Sequence, residues 1–313
     1  REPAGMLLYG IPEYRLPRKL LEHEIEAIAQ AGVEIRTNTP VTDIDALLTD
    51  GFAAVLIAAG AHKSRRLGLP GDDAPGVVDP IVFLRRVNLK EPVPAVGDRV
   101  GIIGGGSTAM DAARTALRLG AKHVTILYRR SRVEMPAAEE EVEAALEEGA
   151  KIEYLVSPSR IVTEGGRLRG VELIRTRLGD PDATGRRRPI PVEGSQFTVE
   201  LDSLMPAISQ DADLSFISDA SGVAVAKGVV AADPDTFATT RPGVFACGDA
   251  TTGPSDVTTA MATARIAAEF MNKYLRGDTS GRTYAPVRPS VVVEPLELEE
   301  GPASVRPSMR RFP

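Results

Sequence analysis

The stretch at residues 100–130 restricts the possible fold of this chain more than any other. Residues 100–103 form an apolar run of the length expected for a buried strand. The pattern G-x-G-x-x-A follows from Gly104, and an amphipathic stretch then leads to a second apolar run at His123–Tyr128. A strand, a glycine-rich turn, a helix and a second strand in this order indicate a Rossmann-type site for a dinucleotide.

Each small residue of the glycine-rich turn has a separate task. Gly104 permits the tight turn, Gly106 lets the backbone approach a pyrophosphate, and Ala109 lets the new helix pack on its strand. The first N–H groups of that helix and its dipole favour the anion. The candidate dinucleotide-binding residues of the turn are Gly104, Gly105, Gly106, Ser107, Thr108 and Ala109.

The end of the second strand indicates which dinucleotide binds. An NAD site usually has an acidic residue there, which accepts hydrogen bonds from the ribose 2′-hydroxyl. This chain has Arg129 and Arg130 instead, with Arg132 close behind. Guanidinium groups bind a 2′-phosphate and cannot accept that hydrogen bond, so the pattern favours NADP(H) over NAD(H). The alternative is a solvated basic turn without a ligand.

A later stretch carries a second candidate site. A turn and a buried strand at residues 242–247 end in Gly248 and Asp249, and a long helix is predicted at residues 257–275. An acidic residue beside a close-approach glycine, followed by a helix N-terminus, suits the ribityl hydroxyls and the polar edge of a flavin. The candidate flavin-binding residues of this stretch are Gly248, Asp249, Thr258 and Thr259.

Composition argues against several other functions. The net charge of −6 and the lack of a long basic run disfavour nucleic acid or an anionic membrane as the partner. No apolar run approaches the roughly 20 residues of a membrane-spanning helix. Cys247 is the single cysteine, so the sequence provides no internal disulfide, redox cysteine pair or iron–sulfur cluster of its own. The three histidines are scattered, and we name no metal site. A cytoplasmic protein fits these features best.

The rest of the chain predicts an α/β fold with room for two domains. Helices are predicted at residues 18–31, 79–89 and 137–148, and strands at residues 33–37, 52–59, 151–155, 171–177, 197–201 and 204–207. A polar stretch rich in Gly, Pro and Arg predicts an exposed hairpin at residues 178–194. Residues 276–313 are predicted to form an extended tail.

Five motifs occur along the chain in a fixed order. They are YGIPEYRLP at residues 9–17, AAGA at 58–61, GGGSTAMD at 104–111, YRRSRVEMPA at 128–137 and GVFACGDA at 243–250. In this order the motifs resemble the glutamate synthase small-subunit family, which is part of the pyridine-nucleotide-dependent flavoproteins that lack the redox disulfide of the wider superfamily. The resemblance adds Gly60 and Asp111 to the candidate cofactor-binding residues.

The resemblance implies two nested Rossmann-like domains. An FAD-binding domain would consist of residues 1–78 and 214–275, an NADP-binding domain of residues 79–213, and the tail of residues 276–313. NADPH would pass a hydride to FAD, and the electrons would leave singly to a partner of the iron–sulfur, amidotransferase or another redox type. Such chemistry needs positioning more than a side-chain acid or base, so we name no catalytic residue.

Members of the resembled family carry a cysteine-rich iron–sulfur region and a first G-x-G-x-x-G motif before the YGIPEYRLP stretch. The sequence begins after both, so we expect an FAD domain truncated at its N-terminus, with FAD completed by sequence or by a subunit outside this chain. An alternative function is a non-catalytic NADP-binding scaffold or redox-sensing subunit of a larger complex. A third is electron donation to a pyrimidine reductase or a hydrogenase module.

Overall fold

The computed structural model describes residues 2–182 and 185–281. Its helices are α1 (Met6–Tyr9), α2 (Arg18–Gln30), α3 (Ile44–Thr49), α4 (Pro80–Asn88), α5 (Ser107–Arg118), α6 (Glu139–Glu147), α7 (Asp249–Thr252) and α8 (Val257–Arg276). Its strands are β1 (Val55–Ile57), β2 (Lys63–Ser64), β3 (Arg99–Ile103), β4 (His123–Tyr128), β5 (Lys151–Tyr154), β6 (Val156–Glu164), β7 (Arg167–Pro181), β8 (Arg187–Pro191), β9 (Phe197–Glu200), β10 (Ser203–Pro206), β11 (Gln210–Asp211), β12 (Val225–Ala226), β13 (Val229–Val230) and β14 (Val244–Ala246).

A four-stranded parallel sheet forms the centre of one lobe, which we call the central lobe (α4–α6 and β3–β10). Its strand order is β10, β3, β4, β5, so the chain passes from β3 through α5 to the adjacent β4. The apolar run at residues 100–103 is buried in β3, as its composition predicts. The strand, helix and second strand predicted at residues 100–130 are thus confirmed.

Helices α4, α5 and α6 cover one face of this sheet. Phe83 of α4 and Met110 of α5 are almost fully buried, and they belong to one cluster with the sheet residues Val100 and Ile126. Four alanines of α5 are fully buried, and their small side chains let the helix lie close to the sheet; they are Ala109, Ala112, Ala113 and Ala116.

Antiparallel strands cover the opposite face of the sheet. β7 pairs with β6, β8 and β9, and its residues Val171 and Leu173 pack with Ile103, Leu127 and Leu204 of the parallel strands. The central lobe therefore has three layers: helices, a parallel sheet and an antiparallel sheet. The pairing of β7 with β8 confirms the hairpin predicted at residues 178–194.

A smaller lobe, the outer lobe (α3, β1, β12–β14, α7 and α8), has its own core. β1 and β14 pair in parallel, with Val55 opposite Val244, and Ile44 of α3 packs against them. The antiparallel pair β2–β11 connects the two lobes, and Arg65 forms a 2.6 Å ion pair with Asp211 beside it.

The N-terminal segment, residues 2–17, lies against the central lobe before the chain enters α2. The side-chain amide of Asn88, in α4, donates hydrogen bonds to the carbonyl oxygens of Tyr9 (2.9 Å) and Ile11 (3.2 Å). Arg18, the first residue of α2, donates to the same Ile11 carbonyl at 2.7 Å. The segment is therefore tied both to the central lobe and to the first residue of α2.

The strand predicted at residues 33–37 is wrong, because the backbone there is irregular. Val33 and Ile35 alternate with polar residues as in a strand, yet they remain 51% and 41% exposed. A strand needs a neighbour for its N–H and C=O groups, and no described residue pairs with this stretch. The strand predicted at residues 52–59 is present but shorter, as β1.

The predicted C-terminal tail falls largely outside the described residues, which end at 281. Helix α8 runs to Arg276, one residue beyond its prediction, and Gly277 ends it in the left-handed conformation with φ 68°.

Candidate functional site

The glycine-rich turn lies between the buried strand β3 and the N-terminus of α5. Gly104 follows the last residue of β3 and has φ +145°, a value that favours glycine. Gly106 is the N-cap of α5, and Ala109 in the first turn is completely buried against the sheet. The turn therefore has the strand-to-helix geometry that the sequence predicts for a dinucleotide site.

The three glycines of this turn differ in what surrounds them. A Cβ at Gly104 would lie 2.2 Å from the carbonyl oxygen of Ala207, and one at Gly105 would lie 2.5 Å from the ring of Tyr128. A Cβ at Gly106 would meet nothing closer than Pro136, at 3.8 Å, and its φ of −95° suits any residue. The fold requires glycine at the first two positions, whereas at Gly106 it leaves an open face. An open face at this position suits the close approach of a ligand.

The N-terminus of α5 is open to an anion. No side chain of the described residues caps it, while Ser107 is exposed at the first helical position. Thr108 is half-buried, and its hydroxyl accepts a 3.2 Å hydrogen bond from the Gln210 amide of β11. The turn thus lies beside the ribbon that connects the lobes. Gln210 is a residue that sequence reasoning missed, because nothing in the local pattern reveals a contact across 102 residues.

Asp111, predicted as a cofactor-binding residue, lies on the buried side of α5. Its side chain is 6% exposed, and Arg15 donates a 2.6 Å hydrogen bond to its Oδ2. Burial raises the pKa of Asp111 to about 7, with Arg15 opposing that shift and Glu141 adding to it. These contacts join Asp111 to other parts of the protein and leave only 6% of its side chain exposed.

The two arginines after β4 have different surroundings, although the sequence predicts the same role for both. Arg130 is 5% exposed; its Nε donates to the Arg187 carbonyl oxygen at 2.6 Å, and its Nη2 forms a 2.8 Å ion pair with Asp182. Arg129 is exposed, and its guanidinium forms no ion pair or hydrogen bond with any residue in the described part of the chain. Partial desolvation, followed by the nearby Arg130 charge, lowers the pKa of Arg129. The assignment of Arg130 to a 2′-phosphate is therefore not supported by its contacts, and Arg129 remains the candidate.

Replacing Arg130 by glutamine is expected to destabilise the fold. The change removes the ion pair with Asp182 and the donor to the Arg187 carbonyl at the base of the β7–β8 hairpin. We expect the free energy of unfolding to fall by about 2 kcal/mol, below the range for fully buried pairs because Asp182 is partly exposed. Urea denaturation measures this change, and a loss under about 0.5 kcal/mol would contradict a structural role.

The second candidate site lies where β1 and β14 end. These parallel strands bring Gly60 (φ +67°) and Gly248 (φ +63°) to the same edge of their sheet. Asp249 follows half-buried, and burial raises the pKa of its carboxyl, partly offset by a 3.2 Å hydrogen bond from the Ser255 N–H and by His62. A Cβ at Gly248 would meet only Ala260, at 3.7 Å, so the backbone can be approached closely there. Two glycines and one partly desolvated acid at a strand edge fit the polar end of a flavin.

Other residues of this site are already engaged. The N–H of Gly248 donates to the Thr263 hydroxyl at 2.9 Å, and the N–H of Thr259 donates to the Asp256 side chain at 2.7 Å. Thr258 is exposed at the start of α8. Asp256 therefore caps α8 at the Thr259 N–H, in place of the anion that the sequence suggests.

His62 is a second residue that sequence reasoning missed. Its imidazole lies beside Gly60 and contacts the Tyr9 ring edge-to-face, with ring centres 6.3 Å apart. Burial lowers the pKa of His62, partly offset by Asp249. The only local signal that could have placed His62 in this site is its position two residues after Gly60.

Two further features concern metals and membranes. Within residues 2–182 and 185–281, no group of three or more His, Cys, Asp or Glu side chains is arranged to hold a metal ion. The helices of the same residues include none with the length and apolar character needed to span a bilayer.

Comparison with known proteins supports a nucleotide-dependent redox site. The family model for pyridine nucleotide-disulphide oxidoreductases matches residues 18–264. The chain is 45% identical to the NADP(+)-dependent formate dehydrogenase subunit beta of Moorella thermoacetica, over 90% of this chain and 40% of that protein. It is 36% identical to the glutamate synthase [NADPH] small chain of Escherichia coli, over 88% of this chain and 62% of that protein. The chain therefore spans about half the length of these curated relatives.

A solved structure with the same fold is FprA from Mycobacterium tuberculosis in complex with NADPH. It superposes with a TM-score of 0.72 over 88% of this chain and 76% of FprA, at 16% identity. At this identity the likeness establishes the α/β fold and nothing more.

Proposed function

Because the chain belongs to the pyridine nucleotide-disulphide oxidoreductase family, we propose that it is the NADPH- and flavin-binding part of an electron-transfer oxidoreductase. The observation that carries this proposal is the open face at Gly106, beside a helix N-terminus and an Arg129 guanidinium that no side chain among residues 2–182 and 185–281 caps or pairs. Glycine, helix dipole and guanidinium are three features that an NADP pyrophosphate and 2′-phosphate require.

The NADPH site uses the chain in two places. The N–H groups at the start of α5 receive the pyrophosphate, with Gly105 and Gly106 lining the approach and Ser107 and Thr108 beside it. Arg129 donates to the 2′-phosphate and gives NADPH its advantage over NADH. Arg130 supports this site indirectly, because its ion pair with Asp182 fixes the β7–β8 hairpin.

The flavin site uses the edge formed by β1 and β14. Gly60 and Gly248 allow the backbone to lie close to the ring system, and Asp249 accepts hydrogen bonds from ribityl hydroxyls. A bound FAD supplies the chemistry of accepting a hydride and releasing electrons one at a time. We propose that its pyrophosphate is held by sequence outside the described residues.

The chain needs no internal disulfide for this role, although its family is named for one. Cys247 is the single cysteine and is buried in the outer lobe. Burial raises the pKa of its thiol, which makes it less reactive. What the residues contribute is orientation of the two cofactors.

The lobes have separate cores, which supports two nested domains, although Leu67, Leu69 and Val77 pack in the core of the central lobe. Residues 1–78 and 214–275 would form the FAD domain, with the NADP domain, residues 79–213, inserted between them. The β2–β11 ribbon lies at both crossings between these parts.

A redox partner receives the electrons in this proposal. The relatives named above are a subunit beta and a small chain, so each belongs to an assembly of several chains. We propose an iron–sulfur or amidotransferase-type subunit as the partner of this chain, and the cytoplasm as its location.

Calorimetric titration of the chain with NADPH and with NADH tests the nucleotide part of this function. We expect one NADPH site per chain, with NADH at least about tenfold weaker because it lacks the 2′-phosphate contact. Equal affinities would refute the role of Arg129, and no binding of either nucleotide would refute the proposed function. NADPH binding without any flavin reduction would favour the scaffold or sensor alternative.

A further inference from the structure

Arg15 of the N-terminal segment bridges two helices of the central lobe. Its Nη1 donates to Asp111 of α5 at 2.6 Å, and its Nη2 donates to Glu141 of α6. The carboxylate side chains are 6% and 13% exposed, and that of Arg15 is 28% exposed. One cation therefore holds two buried carboxylates that would otherwise repel each other.

Tyr14 extends the same contact along α5. Its ring lies against two guanidiniums of that helix, with the Cζ atoms of Arg114 and Arg118 at 4.3 and 4.0 Å from the ring centre. Both arginines also bind Glu148, at 2.7 and 2.8 Å. One face of α5 carries Asp111, Arg114 and Arg118, so the N-terminal segment contacts this helix over two turns.

This contact is an inefficient way to stabilise a fold. Buried ion pairs lose much of their attraction to desolvation, and similar apolar groups are often at least as stable. Asp111 illustrates the cost, because burial raises its pKa to about 7 even with Arg15 bonded to it. What the pair does provide is a fixed direction and register for the helix.

The position of Asp111 makes that register relevant to the nucleotide. It lies one helical turn after Ser107, the first residue of α5, and α5 is a rigid element with a fully buried face. A displacement of α5 would move the N–H groups that the pyrophosphate requires.

We propose that Arg15 and Asp111 are positioning residues for the dinucleotide. They fix α5 against the segment that leads into the outer lobe, and so hold the glycine-rich turn in its binding geometry. This inference rests on the proposed NADPH site.

The pH dependence of binding follows from the charges around Asp111. Arg15 and Tyr14 face it from the N-terminal segment, Glu141 from α6, and Arg114 from its own helix. As the pH falls from 8 to 6, Asp111 gains a proton and its attraction for Arg15 weakens. Nucleotide binding by the wild-type chain should weaken with it, and an Asp111→Asn variant should lack this component.

Stability should follow the opposite trend, which separates positioning from a structural role. The pKa of Asp111 is about 7 in the folded chain and 3.8 as the ordinary value, so the folded state binds the proton more tightly. Ionisation of Asp111 therefore lowers the free energy of unfolding as the pH rises from 3.8 through about 7. Asp111→Asn should be no less stable than the wild type at pH 8.

The test compares the wild type, Arg15→Gln and Asp111→Asn. Lys122→Gln is the matched control, since it breaks an exposed ion pair of the same lobe, with Asp98. NADPH and NADH affinities are measured by calorimetry at pH 8 and pH 6, and stability by urea denaturation. The wild-type-to-variant ratio at each pH cancels the titration of the 2′-phosphate, whose own pKa is near 6.

We expect Arg15→Gln and Asp111→Asn both to bind NADPH and NADH about tenfold more weakly at pH 8, within the usual range for coupled sites. The Asp111→Asn deficit should shrink towards none at pH 6, and Lys122→Gln should bind as the wild type does. Wild-type affinity of Asp111→Asn at pH 8, or a loss matched by lower stability, would overturn the inference. If Arg15→Gln does not fold, Asp111→Asn decides. A wild-type chain that binds neither nucleotide would refute the proposed function instead.

Discussion

Replacing Gly106 by valine is expected to abolish NADPH binding while leaving the protein folded. A Cβ at this position has 3.8 Å of clearance and the backbone φ is −95°, so the fold accepts a side chain. The added branches would occupy the open face through which the pyrophosphate approaches the N-terminus of α5. We expect a loss of at least about 100-fold in affinity, or about 2.7 kcal/mol. Calorimetry measures binding, and circular dichroism with urea denaturation measures the fold.

Gly104 provides the matched control for this substitution. Its added Cβ would lie 2.2 Å from the backbone oxygen of Ala207, and its φ of +145° disfavours any other residue. Gly104→Ala should therefore lower the free energy of unfolding by about 2 kcal/mol or more. Unchanged NADPH affinity in a folded Gly106→Val protein would show that the pyrophosphate does not bind at this turn.

Replacing Arg129 by glutamine is expected to remove most of the preference for NADPH over NADH. Arg129 is the exposed, unpaired guanidinium at the end of β4 within the described residues, and glutamine keeps a polar side chain without the charge. Loss of a charge-assisted contact to the 2′-phosphate should weaken NADPH by about 2 kcal/mol, or roughly 30-fold, and leave NADH almost unchanged.

The control for Arg129 should change the net charge by the same amount elsewhere. Lys122→Gln does so beside Asp98, where β3 and β4 begin, at the opposite end of the strand that Arg129 follows. It should leave the NADPH-to-NADH affinity ratio unchanged. A ratio that falls equally in both variants would assign the preference to the overall charge and not to Arg129.

The fold of the central lobe could be predicted wherever its signals are local. The apolar run of β3, the glycine-rich turn and the buried alanines of α5 all lie within 20 residues, and each acts on its neighbours in sequence. The strand predicted at residues 33–37 fails for the opposite reason. Its alternation is correct, but pairing depends on a distant neighbour that no local pattern specifies.

In the candidate site, too, local signals could be predicted and distant contacts could not. Arg129 and Arg130 are adjacent and chemically identical, so sequence alone gives them one role. Their difference arises from Asp182 and Arg187, which lie 52 and 57 residues beyond Arg130. Likewise, Asp111 matches a motif for cofactor binding, while its partner Arg15 lies 96 residues away. Contacts of such separation are set by packing and cannot be read from spacing.

Anaerobic titration of the flavin-loaded protein with NADPH, followed by absorbance, tests the central claim most directly. We predict that about one equivalent of NADPH bleaches the flavin bands, and that Gly106→Val prevents this while a chemical reductant still bleaches them. A bound flavin that stays oxidised with excess NADPH, yet is reduced chemically, would contradict the proposed electron transfer.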